Sequence, residues 1–159
     1  IIHYFHPVEV YKSLPRILFL MLETCAVIRS CLDEESYEDL RRHPDVRTLS
    51  ANAQHILGSL VRALHLDRQA RHHVEGPFEE ARRWEQRHRQ TLDQLRAAGI
   101  RTRTDYDAGW DEYRAQREVW ETMLYRFAAH LGYDWDEITG DHDLRSAVEE
   151  ELVKPQVSD

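Results

Sequence analysis

LPRILFLMLETCAVIRSCL, residues 14–32, is the most apolar stretch of the chain, and its reading decides the fold. At helical spacing Leu14, Leu18, Met21, Cys25, Ile28 and Leu32 form one stripe. Ile17, Phe19, Leu20, Leu22, Ala26 and Val27 carry apolar character over most of the remaining circumference. A helix apolar nearly all round belongs in the middle of a bundle. It is not a membrane span: the unbroken apolar run from Ile17 to Leu22 is short, Glu23 and Arg29 break up the remainder of the stretch, and a bilayer needs about 20 apolar residues.

The rest of the composition agrees with helices around such a core. The chain has 159 residues, enough for one domain with one core. Only 6 Gly and 5 Pro leave little material for the turns of an all-β fold. A formal charge of −8 argues against a nucleic-acid binder, which would show a basic face. Cys25 and Cys31 are six apart on one predicted helix, a rise of about 9 Å that a disulfide does not span, so both are expected as reduced core thiols in a reducing compartment. The opening Ile1-Ile2, with no signal-peptide pattern, is read as the start of a piece of a longer protein.

In chain order, residues 1–13 read as a strap around Pro7, and Pro15 falls in the first turn of the core helix, where a missing N–H costs nothing. Asp33, Glu34 and Glu35 close that helix at the end where its dipole disfavours acids, and residues 36–43 suit a short helix. His43-Pro44-Asp45 opens a long helix over 45–66 whose predicted inner face is Val46, Leu49, Ala53, Ile56, Leu57, Leu60 and Leu64, with Gly58 expected at a close helix crossing. Residues 67–76 form a polar connection. A third long helix starts at Gly76-Pro77 and stops at Ala98 before Gly99, with Phe78, Ala81, Trp84, Leu92 and Leu95 facing inward. The short loop 100–104 makes the next helix, 105–132, its antiparallel neighbour. There Tyr106, Trp110, Tyr113, Arg117, Trp120, Leu124, Phe127 and Leu131 repeat in steps of four and three, an apolar stripe broken only at Arg117. Tyr133, Trp135 and Ile138 are available to cap the bundle. The expectation is therefore an all-α, up-and-down bundle of four main helices with short accessory helices. It comprises a strap (1–13), the bundle (14–140), and a short C-terminal helix with a fraying tail (141–159).

Few residues offer chemistry. Glu23 has apolar helical neighbours and is a candidate buried carboxylate whose pKa desolvation would raise unless an arginine or histidine reaches it; the alternative is a solvated strip with Arg16 and Ser30. Glu85 and His88 have the Glu-x-x-His spacing of di-iron bundles. No second such pair exists, and the surrounding arginines disfavour a cation, so an exposed structural role is expected for them. His65, His72 and His73 flank the polar connection and are weaker metal candidates. No metal site and no cofactor are expected. Arg82, Arg83, Arg87, Arg89, Arg96, Arg101 and Arg103 form a basic segment. They either pair with Glu79, Glu80, Glu85 and Asp93 or, with Arg82, Arg83, Arg87 and Arg89 foremost, present a contact surface for an anionic leaflet or an acidic partner. Nucleophile elbows, phosphate loops and zinc signatures are absent.

Two stretches carry a resemblance. HYFHPVEVYKSLPRILFLMLETCAVI (3–28), with Glu23-Thr24-Cys25-Ala26 at its centre, resembles the start of the cytosolic C-terminal helical domain of bacterial two-transmembrane, pore-loop potassium-channel-like proteins. LDQLRAAGIRTR (92–103) and HLGYDWDEI (130–138) are similar to later parts of that domain. The resemblance implies a non-enzymatic regulatory or assembly module on the cytoplasmic side of the inner membrane. It also implies self-association and a pore region of the same polypeptide as partner, with no nucleic acid. A free-standing bundle holding a metal ion or small ligand between its helices is the alternative, and a metal-dependent bundle enzyme a third reading.

Overall fold

A computed structural model describes residues 10–68 and 77–140, with the side chains of Tyr11, Arg68 and 77–81 left out. The 1–9 part of the strap, His72, His73, the inward placement of Phe78 and Ala81, the pairing of Glu79 and Glu80, and the 141–159 helix and tail all lie outside the described residues. After a single 3-10 turn at Val10–Lys12 the elements are α1 (Leu14–Cys31), α2 (Glu38–Arg41), α3 (Pro44–Ala63), α4 (Pro77–Ala97), α5 (Tyr106–His130) and α6 (Trp135–Thr139). The four long helices run up, down, up, down, as an all-α bundle. Among the described residues no helix is long and apolar enough to cross a membrane.

Local chemistry sets the helix ends. The Ser13 side chain accepts from the Arg16 N–H with Pro15 in the first turn of α1. His43, Asp105 and Asp134 cap α3, α5 and α6 in the same way. Gly99, Gly132 and Gly140 follow α4, α5 and α6 at φ of 75°, 79° and 77°. The corresponding position after α3 is His65, at φ 56°. A side chain there is strained, so His65→Gly is expected to raise stability by up to about 1 kcal/mol, read as a shift in the urea midpoint.

α1 is the central element, touching α3, α4, α5 and α6, and the face it buries keeps Leu18, Cys25 and Leu32 of the predicted stripe but is turned away from Leu14. Leu18 and Cys25 are buried with Phe19, Leu22, Ala26, Ser30 and Cys31, whereas Leu14, Ile17 and Leu20 are exposed. The inward face is turned because α5 packs along the side that carries Phe19, Glu23 and Ser30. α3 is turned too. Val46, Ala53 and Leu57 face inward as expected, joined by Ser50, Gly58 and Val61, while Leu49, Ile56 and Leu64 are exposed.

The main core joins Leu18, Phe19 and Leu22 of α1, Ala53, Leu57 and Val61 of α3, Trp120, Leu124 and Phe127 of α5, and Ile138 of α6. Tyr133 and Trp135 pack against it as the expected end cap. At the other end the 100–104 loop pairs with the residues after α1 through one antiparallel bridge, Leu32 to Thr102. The Arg103 N–H donates to the Cys31 carbonyl at 2.8 Å and the Asp33 N–H to the Arg101 carbonyl at 3.2 Å.

A close helix approach lies at Gly109, not Gly58. A Cβ on Gly109 would stand 2.9 Å from the Ser30 carbonyl oxygen, a backbone atom of α1; one on Gly58 would meet only the flexible Arg62 side chain, at 3.3 Å. The same substitution therefore has opposite signs. Gly58→Ala is expected to stabilise by about 0.5–1 kcal/mol through helix propensity. Gly109→Ala is expected to cost about 1–2 kcal/mol because α1 and α5 must separate. Urea unfolding of the two variants checks both.

Candidate functional site

The polar centre of the bundle is assembled from one residue of α1 and three of α5. Tyr113, Arg117 and Glu121 recur every four residues, so they share one face of α5. Glu23 meets them from α1, which runs antiparallel. Arg117 donates from Nη1 to Glu23 Oε2 at 2.9 Å and to the Tyr113 hydroxyl oxygen at 2.8 Å, and from Nε to Glu121 Oε2 at 2.8 Å. The Tyr113 hydroxyl in turn donates to Glu23 Oε1. All four side chains are buried, Arg117 at 1% exposure. Its guanidinium carbon lies 5.1–5.8 Å from the ring centroids of Trp120, Tyr113, Trp84 and Phe19. Burial by itself would lower the guanidinium's pKa, but Glu23, Tyr113 and Glu121 outweigh it and hold it well above its ordinary value. Burial also drives the Tyr113 hydroxyl well above its usual range. The cluster is thus a hydrogen-bonded clamp joining α1 to α5, and the break in the α5 stripe is the cation that answers Glu23.

Next to the clamp sits a second group that the sequence reading misplaced. His88 is not exposed: it is 1% accessible, with the rings of Tyr113, Tyr106 and Trp110 at 5.0, 5.5 and 5.9 Å. Neither of its ring nitrogens nor Trp84 Nε1 has a hydrogen-bond partner among the described residues. Burial, reinforced by the nearby Arg89 charge and only partly opposed by Glu85, lowers the His88 pKa to about 4, so the ring is neutral at pH 7. The signal was available, since His88 falls midway between Trp84 and Leu92, both inward, at a spacing of four.

Glu85 does not join His88 as a ligand pair. It is half-exposed and accepts from Arg89 at 2.7 Å and from the Tyr106 hydroxyl at 3.4 Å, and the Arg89 bond holds its carboxyl below the usual range. Among the described residues no group of three or more His, Cys, Asp or Glu side chains is placed to hold a metal ion. His65 is exposed at the end of α3. Both cysteines are free and buried, and desolvation raises their pKa values, that of Cys31 to about 11, so neither is a thiolate at pH 7.

The basic segment does not form one surface. Arg82 and Arg89 are exposed and Arg83 is half-buried. Arg87 turns to α6, donating to the Thr139 carbonyl at 3.2 Å with its guanidinium over the Phe19 ring at 5.4 Å. Arg89 and Arg96 pair along α4 with Glu85 and Asp93. Arg103 leaves the segment to pair with Glu34 and Glu112 beside a cleft of about 360 Å3 at the end of α1, α2 and α5, lined by Arg29, Arg41, Arg42, Glu34, Glu35, Glu38 and Glu112; there Arg29 pairs with Glu112, and Arg41 with Glu34 and Glu112. Arg41 also donates from Nε and Nη2 to the Arg29 carbonyl at 2.9 and 2.6 Å, so the cleft is a mutually neutralised seam holding α2 to the bundle. No spacing rule within one helix brings these residues together. Compared with protein-family models, with curated proteins and with solved structures, the chain finds no match in any of the three.

Proposed function

We propose that this chain is a non-enzymatic regulatory or assembly module on the cytosolic side of a bacterial potassium-channel-like membrane protein. The observation that carries the reading is how the polar centre is used. Glu23, Tyr113, Arg117 and Glu121 satisfy one another across α1 and α5, so the charged groups of the core are committed to holding two helices in register. α1 directly follows the strap, so a module built this way receives or delivers force through a firmly seated helix. The resemblance of residues 3–28, 92–103 and 130–138 supplies the channel context. In that context association or a ligand biases the helix arrangement and, through the strap, a gate upstream. The test is the coding sequence before Ile1 together with ion flux by the intact protein. Two hydrophobic spans flanking a Thr-x-Gly-Tyr-Gly-like loop are expected there, and a flexible insertion in the strap is expected to change flux. A start codon at Ile1, or flux indifferent to the insertion, overturns the reading.

One observation favours the second reading, a bundle with a small ligand between helices. His88 and Trp84 bring three unpartnered buried nitrogens to the inner side of α4. Elemental analysis of untagged protein separates the two readings: a stoichiometric metal lost in His88→Ala would displace the first.

A further inference from the structure

Several large aliphatic side chains of α1 and α3 are left outside the observed core. Leu14, Ile17 and Leu20 on α1 are 43–45% exposed, and Leu49, Ile56 and Leu64 on α3 are 38–44% exposed. Cys25 Sγ donates to the Val46 carbonyl, and Leu18 shares a core with Ala53 and Leu57, which fixes α1 and α3 as an antiparallel pair in a known register. With the buried faces so placed and 100° per residue around each axis, Ile17 of α1 falls on the same outer side of the pair as Leu49 and Ile56 of α3, beside Met21 and Leu60, which are half-buried against the core. Leu20 and Leu64 lie at the margins.

Among the described residues that side is poor in charge: Asp45, one turn before Leu49 at the start of α3, is exposed there, and the stretch beyond it is neutral. Residues 48–61 of α3 contain no Asp, Glu, Lys or Arg, and residues 17–28 of α1 contain only Glu23, which points into the core, in a chain where 31% of residues are charged. The scarcity of charge selects the occupant. An anionic leaflet is held by lysines and arginines, and an acidic or basic peptide by the opposite charge; this face offers neither. Charge depletion around aliphatic side chains is the composition of an interface centre. A neutral surface is also complementary to itself, the condition for two-fold association.

We propose that the outer side of the α1–α3 pair is the docking surface for a second copy of this chain, so that two antiparallel helix pairs pack face to face as a symmetric dimer. The inference deepens the assembly reading and rests on it only in that an assembling module needs such a face.

Sedimentation equilibrium of the full chain from low micromolar to near millimolar concentration tests it, with helical circular dichroism recorded for each variant. The expected result is a monomer–dimer equilibrium weakened about 100-fold or more by Ile17→Glu with Ile56→Glu. Val119→Glu, at a 53% exposed site on α5, is expected to leave it unchanged. A monomer at every concentration overturns the proposal, as does a dimer indifferent to the double variant, or one that Val119→Glu disperses equally. If the double variant loses its helical signal, Ile17→Cys treated with a short bismaleimide decides, because Cys25 and Cys31 are buried. Crosslinked dimer supports the face, and its absence from a sample that sediments as dimer removes it. A monomeric chain preceded by a pore sequence would sink this surface and spare the channel reading.

Discussion

Arg117→Met is expected to cost the bundle about 3–5 kcal/mol, a large part of the 5–15 kcal/mol available to a domain of this size. The loss exceeds that of an ordinary core truncation because of what stays behind. Glu23 and Glu121 are 9% and 3% exposed, and both would keep buried carboxylates with their cation gone. The Tyr113 hydroxyl would lose one of its two partners. The aromatic rings around the guanidinium add to the loss, since methionine fills the volume but carries no charge for them. The complementary experiment removes the whole cluster. Arg117→Met combined with Glu23→Leu, Glu121→Leu and Tyr113→Phe leaves nothing unpaired and is expected to recover most of the stability, because attraction inside a buried ion pair is largely spent on desolvating its members. Urea unfolding of the single and combined variants measures both. An Arg117→Met protein within about 1 kcal/mol of the parent would mean that the clamp does not hold α1 to α5.

The contrast between sequence and structure has a physical cause in each case. α5 was legible because its buried set recurs in steps of three and four, and the one intruder, Arg117, occupies the inward position the periodicity assigns it. Helix ends were legible because they depend on a few adjacent residues, as at Pro15 and Gly99. α1 and α3 were harder. A helix apolar nearly all round does not announce which side turns inward; partners decide that, and they left Ile17 and Ile56 outside while taking Ser30 and Ser50 in. Glu121 escaped notice because a glutamate four residues after an arginine reads equally well as a solvated pair. Its burial beside Arg117 comes from the packing of the bundle, which that spacing does not show. The Arg41–Glu112–Arg103 seam joins residues up to 71 positions apart, beyond any local pattern.

Between pH 7 and pH 4 the bundle is expected to lose about 3 kcal/mol of stability through His88 alone. In the unfolded chain this histidine takes its proton near pH 6.5; in the folded protein burial holds the pKa at about 4. Above pH 6.5 both states carry a neutral ring, and the group leaves stability unchanged. From 6.5 down to 4 the unfolded state binds a proton that the folded state refuses, so stability falls with pH across that window, and below 4 this group contributes no further slope. The direction follows from the surroundings: the rings of Tyr106, Trp110 and Tyr113 offer the ring nitrogens no acceptor, Arg89 repels an added proton, and Glu85, already engaged by Arg89 and Tyr106, only partly compensates. The other titrating groups cancel when the parent is compared with His88→Leu, which cannot take a proton. The parent-minus-variant difference in unfolding free energy should therefore become less favourable to the parent by about 3 kcal/mol from pH 7 to pH 4. At pH 7 the variant should be at least as stable, since it no longer buries two unpartnered nitrogens. An NMR titration reads the same quantity directly. A His88 ring that gains its proton near pH 6.5 in the folded protein would place it in contact with water or an acceptor and remove the predicted difference.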